Sequence, residues 1–114
     1  MVTTSLSLEP QAAEAAALLK ALSNPRRLLV LCHLVNAPEM SVTQLAENVG
    51  LSQSALSQHL AKLRDEGLVA TRKEAQTVFY RAADERVERL LVLLQDLYCP
   101  ELAGQKSSRS RPNA

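Results

Sequence analysis

Aromatic side chains are scarce in this 114-residue sequence, which has two tyrosines, one phenylalanine and no tryptophan. Alanine and leucine therefore supply most of the 46% hydrophobic fraction, and they favour the packing of helices over the packing of sheets. The length leaves room for one domain with a single modest core. These numbers predict a small, mainly helical domain.

Long apolar runs are also absent, and no segment approaches the length of a membrane-spanning helix. The first residues, MVTTSLSLEPQ, lack the basic start and the continuous apolar stretch of a signal peptide. We therefore expect a cytoplasmic protein with no membrane partner. In that compartment the two cysteines, Cys32 and Cys99, are expected to be thiols rather than a structural disulfide.

Net charge is low as well, at +1, which argues against a generic polybasic nucleic-acid binder. The charge is unevenly distributed, however, because residues 50–81 carry five basic side chains against three acidic ones. Such a local excess is what contact with phosphates requires. The two histidines, His33 and His59, belong to no ligand cluster, so we expect no metal and no cofactor.

Capping residues and helix breakers divide the chain into five predicted helices and one hairpin. The interpretation is a mainly α fold with a small β-hairpin, a winged helix-turn-helix. We expect residues 1–8 to be a flexible N-terminus, residues 9–102 to form the DNA-binding domain with its dimerisation helices, and residues 103–114 to be a disordered basic tail. The predicted helices cover residues 9–22, 25–36, 41–50, 52–66 and 84–99, and the predicted strands cover residues 69–73 and 77–81.

The fourth predicted helix carries side chains suited to reading DNA bases. With Leu56 at the centre of its inner face, Leu60 and Leu63 fall on the same side, at about 100° per residue. Glutamine and serine then point outward, where they can bond to base edges, and the hairpin supplies basic residues for phosphates. An ordinary solvated helix is the alternative. The predicted DNA-binding residues are Gln53, Ser54, Ser57, Gln58, Lys62, Arg72, Lys73 and Gln76.

The two ends of the domain predict a homodimer. The fifth helix has more apolar residues than one stripe can hold, and the alanine-rich first helix permits close approach of another helix. A symmetric dimer through these helices would place two reading helices in successive major grooves of a near-palindromic operator, about 34 Å apart. A monomer with a wholly internal fifth helix is the alternative.

Three segments, ALSNPRRLLVL, LSQSALSQHLAKLRDEGLV and TVFYR, closely resemble the ArsR/SmtB family of winged-helix repressors, and the similarity covers roughly residues 11–99. The resemblance implies a homodimeric bacterial repressor that an inducer releases from double-stranded operator DNA. Metal-sensing relatives carry cysteines in the third helix, where this chain has Ser41 and Thr43. A non-standard metal site built from Cys32, His33 and Cys99 is an open alternative.

Cys32 and Cys99 resemble the cysteine pair of the sulfide-responsive branch of this family, which includes biofilm growth-associated and sulfide–quinone reductase repressors. The resemblance implies that a persulfide or polysulfide joins the two thiols through sulfur atoms, or that an oxidant joins them directly. The cross-link would tie the second helix to the fifth and disfavour DNA binding. A repressor of the same family without cysteine sensing, as in relatives of the nodulation regulator type, is the alternative.

Other classes of function fit less well. An enzyme would use one cysteine as nucleophile and His33 as base, but adjacent helix residues point about 100° apart, so Cys32 and His33 would not meet. No phosphate-binding loop, acidic pair or triad is visible either, and we expect no enzyme activity. A protein-interaction module would need neither the polar reading face nor the basic wing.

Overall fold

A computed structural model describes residues 2–100 of the chain, with side chains from Leu8 onward. Over these residues it has the predicted winged helix-turn-helix architecture, with a three-stranded antiparallel sheet in the order β1-β3-β2. The elements in chain order are α1 (Val2–Leu22), α2 (Pro25–Val35), β1 (Met40–Ser41), α3 (Val42–Val49), α4 (Gln53–Asp65), β2 (Val69–Glu74), β3 (Thr77–Ala82) and α5 (Glu85–Tyr98).

The helices begin where side chains can satisfy their first backbone N–H groups. Asn24 Oδ1 accepts from the N–H groups of Arg26 and Arg27, at 2.9 and 3.2 Å. A capping box opens α3, since Ser41 Oγ accepts from the Gln44 N–H while Gln44 Oε1 accepts from the Ser41 N–H. These caps confirm that α2 and α3 start where the local sequence pattern predicted.

Two parts of the fold differ from the prediction. First, α1 begins at Val2 and takes in most of the segment expected to be a flexible N-terminus; residues 2–8 contain neither glycine nor proline to end a helix. Second, β1 was not predicted, because two residues give no periodicity and the strand exists through its pairing with Phe79 and Tyr80 of β3. The predicted tail at 103–114 lies outside the described residues.

Leucine dominates the core, as the shortage of aromatic residues predicted. The fully buried side chains come from α2 to α5, and removing a buried leucine typically costs about 2–5 kcal/mol of folding free energy. Tyr80 packs against this core from the sheet. The largest fully buried side chains are Leu31, Leu34, Leu45, Leu56, Leu60, Leu63, Leu91, Val30 and Val87.

The last helix has two different sides. On the inner side Val87, Leu91 and Gln95 are buried, and α5 packs on α2. On the outer side Leu97 and Tyr98 are exposed by 65% and 79%. Within residues 2–100, no helix combines the length and apolarity needed to cross a membrane.

Candidate nucleic-acid interface and thiol pair

A left-handed glycine sets the angle between α3 and α4. Gly50 has φ 71°, a conformation that side chains with a Cβ rarely adopt, and its N–H donates to Ala46 O at 2.9 Å. Ser52 then caps α4 by accepting from the Ala55 N–H at 3.1 Å. Because the turn between the two caps is short, α3 packs closely on α4, and the buried sides of both helices face the core.

The predicted reading helix, α4, has the two faces that the sequence predicted. Leu56, Leu60 and Leu63 are fully buried, which confirms the inner face. Gln53 donates from Nε2 to Thr43 Oγ1 at 3.3 Å, so it also links α4 to α3. The predicted base-reading and phosphate-binding residues of this helix are all exposed to solvent: Gln53, Ser54, Ser57, Gln58 and Lys62.

The wing is the β2–β3 hairpin, and each strand is one residue longer than predicted. Glu74 pairs with Thr77, so the turn consists of Ala75 and Gln76, and Ala75 takes a left-handed φ of 56°. Lys73 and Gln76 are exposed near this tip. The hairpin therefore presents Lys73 and Gln76 to solvent, where a phosphate or groove contact would be sterically open.

Arg72 is engaged differently from its neighbour Lys73. Its guanidinium forms a two-pronged ion pair with Glu39, bonds to Glu74 Oε1 at 2.7 Å, and lies 4.7 Å from the centre of the Phe79 ring. The hydrogen bonds to Glu39 and Glu74 raise the pKa of Arg72, and Arg72 in turn holds the pKa of Glu39 below its ordinary value. A phosphate would have to compete with two carboxylates for this side chain.

The partner Glu39 was missed in the sequence. It lies in the segment between α2 and β1, and no local spacing relates it to the wing. The two side chains meet because β1 pairs with β3, which is itself paired with β2. Only the tertiary structure could have revealed this ion pair.

The two cysteines lie at the same cavity between α2 and the end of α5. Cys32 is half-buried, Cys99 is exposed, and both are free thiols. Burial raises the pKa of Cys32, more than the nearby side-chain amide of Gln95 lowers it, and the proximity of Cys99 raises it further. The cavity has a volume of about 200 Å³ and is lined by Leu28, Cys32, Leu91, Leu94, Gln95, Tyr98 and Cys99.

Gln95 is the polar residue of this cavity that the sequence analysis overlooked. Its side chain is only 3% exposed, and neither Nε2 nor Oε1 has a hydrogen-bond partner among the described residues. Val87, Leu91 and Gln95 are spaced by four, so a glutamine continues an apolar stripe of α5. Its place in this stripe could have been recognised in the sequence, because a buried amide usually needs a hydrogen-bond partner and therefore indicates a polar contact in the core.

A metal site built from Cys32, His33 and Cys99 was the alternative to thiol chemistry. Within the described residues, no group of three or more histidine, cysteine, aspartate or glutamate side chains lies close enough to hold a metal ion. The cavity itself offers two thiols and one amide.

Comparisons with known proteins agree with the fold. A family model described as bacterial regulatory protein, arsR family, matches residues 24–71. The chain is 54% identical over 92 residues to the transcriptional activator HlyU of Vibrio cholerae, covering 81% of this chain and 84% of that protein. It is 41% identical over 93 residues to the biofilm growth-associated repressor of Agrobacterium fabrum, covering 82% and 79%. The solved structure of reduced HlyU from Vibrio cholerae matches with a TM-score of 0.77 and 54% identity, over 82% of this chain and 97% of that one.

Proposed function

Because the chain belongs to the ArsR family of bacterial regulatory proteins, and is therefore a DNA-binding transcriptional regulator, we propose that it is a dimeric repressor switched by its two thiols. Joining Cys32 to Cys99 would release it from a near-palindromic operator. The observation that carries the proposal is the shared cavity, to which α2 contributes one thiol and the end of α5 the other. Its relatives are named as transcriptional regulators, not as enzymes.

The DNA-binding half of the proposal assigns base reading to α4. Gln58 and the serines on the exposed face offer donors and acceptors to base edges, and glutamine can bond adenine with both amide atoms. Lys62 and Lys73 would contact the phosphates, where displacement of bound cations makes affinity fall with salt. Gln76, at the tip of the wing, would reach the minor groove.

The dimer is proposed to form through the outer sides of α1 and α5. Leu8 and Leu19 of α1, and Leu93, Leu97 and Tyr98 of α5, are each more than half exposed. Large apolar side chains collected on two helices are typical of a surface that another protein covers. A two-fold dimer would use the same surface of both copies and present one reading helix from each to the DNA.

The sulfur chemistry can be written with every atom accounted for. One thiolate attacks the outer sulfur of an organic persulfide, RSSH, which forms a cysteine persulfide and releases RSH. The other thiolate attacks the inner sulfur of that persulfide, which forms the cross-link and releases hydrogen sulfide. The protein thiols are oxidised and the persulfide is reduced; a second RSSH that reacts before closure would insert one more sulfur and release one more RSH.

The order of attack follows from exposure. Cys99 is exposed and Cys32 is half-buried with a raised pKa, so less of Cys32 is thiolate at neutral pH. We therefore assign the first attack to Cys99 and the closing attack to Cys32. A bacterial transcriptional regulator works in the cytoplasm, where thiols are kept reduced. The reduced pair would therefore be the resting form, and we assign DNA binding to it.

Closure would reach the DNA through α5. The cross-link ties the C-terminal end of α5 to α2, and the same end of α5 carries Leu97 and Tyr98 of the proposed dimer surface. A change at this surface would alter the separation of the two reading helices, which must match the spacing of the grooves. The Vibrio cholerae relative is named a transcriptional activator. A DNA-binding protein of this kind would also raise transcription if its binding site overlapped that of another repressor.

The test uses an operator recovered from random-sequence duplex by selection on the reduced protein. Fluorescence anisotropy measures affinity before and after glutathione persulfide, and intact mass is recorded on the same samples. We expect a large loss of affinity, a mass change that fits one internal cross-link, and neither cross-link nor loss in Cys32→Ser and Cys99→Ser. Unchanged affinity in a cross-linked wild type would disprove the switch, whereas unmodified thiols would disprove the chemistry.

A further inference from the structure

The buried glutamine on α5 is costly as it stands. An amide removed from water without hydrogen-bond partners costs roughly 1–3 kcal/mol in folded proteins. Gln95 is 3% exposed, and both of its polar side-chain atoms are unpartnered among the described residues. An apolar side chain of similar size would fill the same position without that cost.

The amide of Gln95 lies beside the Cys32 sulfur in an otherwise mostly apolar cavity. Apart from Gln95 and the two thiols, the cavity is lined by three leucines and by Tyr98, which is largely exposed. The amide is near enough to the Cys32 sulfur to lower the pKa of that thiol, although burial outweighs the effect. A polar group that costs stability and sits beside a sulfur in apolar surroundings is suited to stabilising charge on that sulfur.

We propose that Gln95 is the hydrogen-bond partner of the Cys32 sulfur in both of its protonation states. The structure shows neither bond; with the amide turned toward the sulfur, Oε1 would accept from the S–H of the thiol and Nε2 would donate to the sulfur once it is a thiolate. An amide can do both by turning about its last side-chain bond, which a carboxylate or an ammonium group cannot. A neutral amide also avoids the larger cost of burying a charge.

The role of this bond in the switch rests on the proposed function. After Cys99 has become a persulfide, the Cys32 proton passes to solvent and the thiolate attacks Cys99 Sγ. The new bond joins the two Sγ atoms, the bond to the terminal sulfur breaks, and the released HS⁻ takes up a proton. Because a thiol reacts fastest when its pKa lies near the ambient pH, a donor that lowers a raised pKa accelerates this closing step.

The first experiment isolates Cys32 from the switch. In a Cys99→Ser background, intact mass follows alkylation of Cys32 by iodoacetamide as a function of pH. Gln95→Met removes the amide, and Leu94→Met, at another position of the same cavity, is the matched control for packing and for the added methionine. We expect Gln95→Met to move the alkylation profile to higher pH by about one unit, a tenfold slower reaction at neutral pH, and Leu94→Met to leave it in place.

A thermal unfolding measurement separates this role from a structural one. Because the S–H of Cys32 is only a weak donor and Nε2 has no partner while the sulfur is a thiol, replacing the buried amide by an apolar side chain should leave the unfolding temperature unchanged or raise it. A profile that stays in place, or shifts equally in both methionine variants, would overturn the proposal. Gln95→Leu provides a second apolar variant if Gln95→Met does not fold.

The second experiment keeps failure of this inference apart from failure of the proposed function. The chain with both cysteines is treated with glutathione persulfide, and the rate of cross-linking is compared between wild type and Gln95→Met. Slower closure in the variant, with persulfide accumulating on Cys99, is expected. If wild type and Gln95→Met cross-link at equal rates and their alkylation profiles coincide, the proposed role of Gln95 is wrong, but the proposed function still stands. A wild type that forms no cross-link defeats the proposed function, and the alkylation profiles still decide whether Gln95 bonds to Cys32.

Discussion

The exposed face of α4 and the cavity between α2 and α5 handle polar groups in opposite ways. On α4, Gln58 and its neighbours are exposed to water, which satisfies their hydrogen bonds and which a base or a phosphate would replace in the proposed complex. In the cavity, Gln95 is withdrawn from water with no partner in the described part of the chain. The first surface is suited to reversible recognition of a large polar ligand, and the second to a chemical change at one atom.

This contrast also separates two kinds of energetics. At the proposed DNA-binding face, affinity would be a sum over many contacts, so each substitution should have a graded effect that depends on salt or on sequence. At the cavity, the thiol pair would act as a unit, because the proposed cross-link needs both sulfur atoms. The proposed dimer surface would connect the two regions, because Tyr98 lines the cavity and is also part of that surface.

Leu97→Glu should break the link between the two regions and have the largest effect. A charge at a 65% exposed position costs the monomer little, but it would place two carboxylates in a two-fold apolar interface. Sedimentation should show a monomer, and affinity for the selected operator should fall roughly a thousandfold, toward that for random DNA. A dimer of unchanged affinity would remove α5 from the interface.

Gln58→Ala should damage the reading face and leave the dimer intact. Loss of a two-bond contact to adenine should cost about 1–3 kcal/mol on the selected operator, with much less effect on random duplex. Lys62→Ala is the control, because loss of a phosphate contact weakens binding to both DNAs alike. Anisotropy titrations that show equal losses of Gln58→Ala on both would refute the base contact.

The two regions differ in how far the sequence could predict them. The helix-turn-helix was predictable because its signals are local: a capping box at Ser41, a left-handed stop at Gly50 and leucines spaced along one face of α4. The same signals gave the faces of α4 without knowledge of the rest of the fold. Contact with DNA along that face is a prediction that the experiments above test.

The thiol cavity and the wing depend instead on distant parts of the chain. Cys32 and Cys99 were paired through a resemblance to a family, since nothing local relates them, and the packing of α5 on α2 brings both to one cavity. Glu39 and Arg72 meet through sheet pairing that β1 makes possible. Gln95 was visible as a polar residue in an apolar stripe, but its partnerless burial could be found only in the packed structure.

The difference between the two thiols should appear as a rate difference in the wild type. At neutral pH, iodoacetamide should label Cys99 several-fold faster than Cys32, because Cys32 is half-buried and its raised pKa leaves little thiolate. As pH rises through the raised pKa of Cys32, its thiolate fraction grows and the ratio of rates should narrow. Peptide mapping after brief labelling measures both rates, and faster labelling of Cys32 would reverse the assigned order of attack.

The smallest expected effect distinguishes two neighbouring cations of the wing. Lys73 is exposed, so Lys73→Ala should lower the slope of log affinity against log salt by about one. Arg72 is held by Glu39 and Glu74, whose charges already compensate its own, so it is less free to neutralise a phosphate and displace a cation bound to the DNA. Arg72→Ala should therefore change the slope less than Lys73→Ala, and Glu39→Gln should move Arg72 toward the behaviour of a free cation by steepening the slope. Equal reductions for Lys73→Ala and Arg72→Ala would mean that DNA displaces the carboxylates and that Arg72 contacts phosphate as fully as its neighbour.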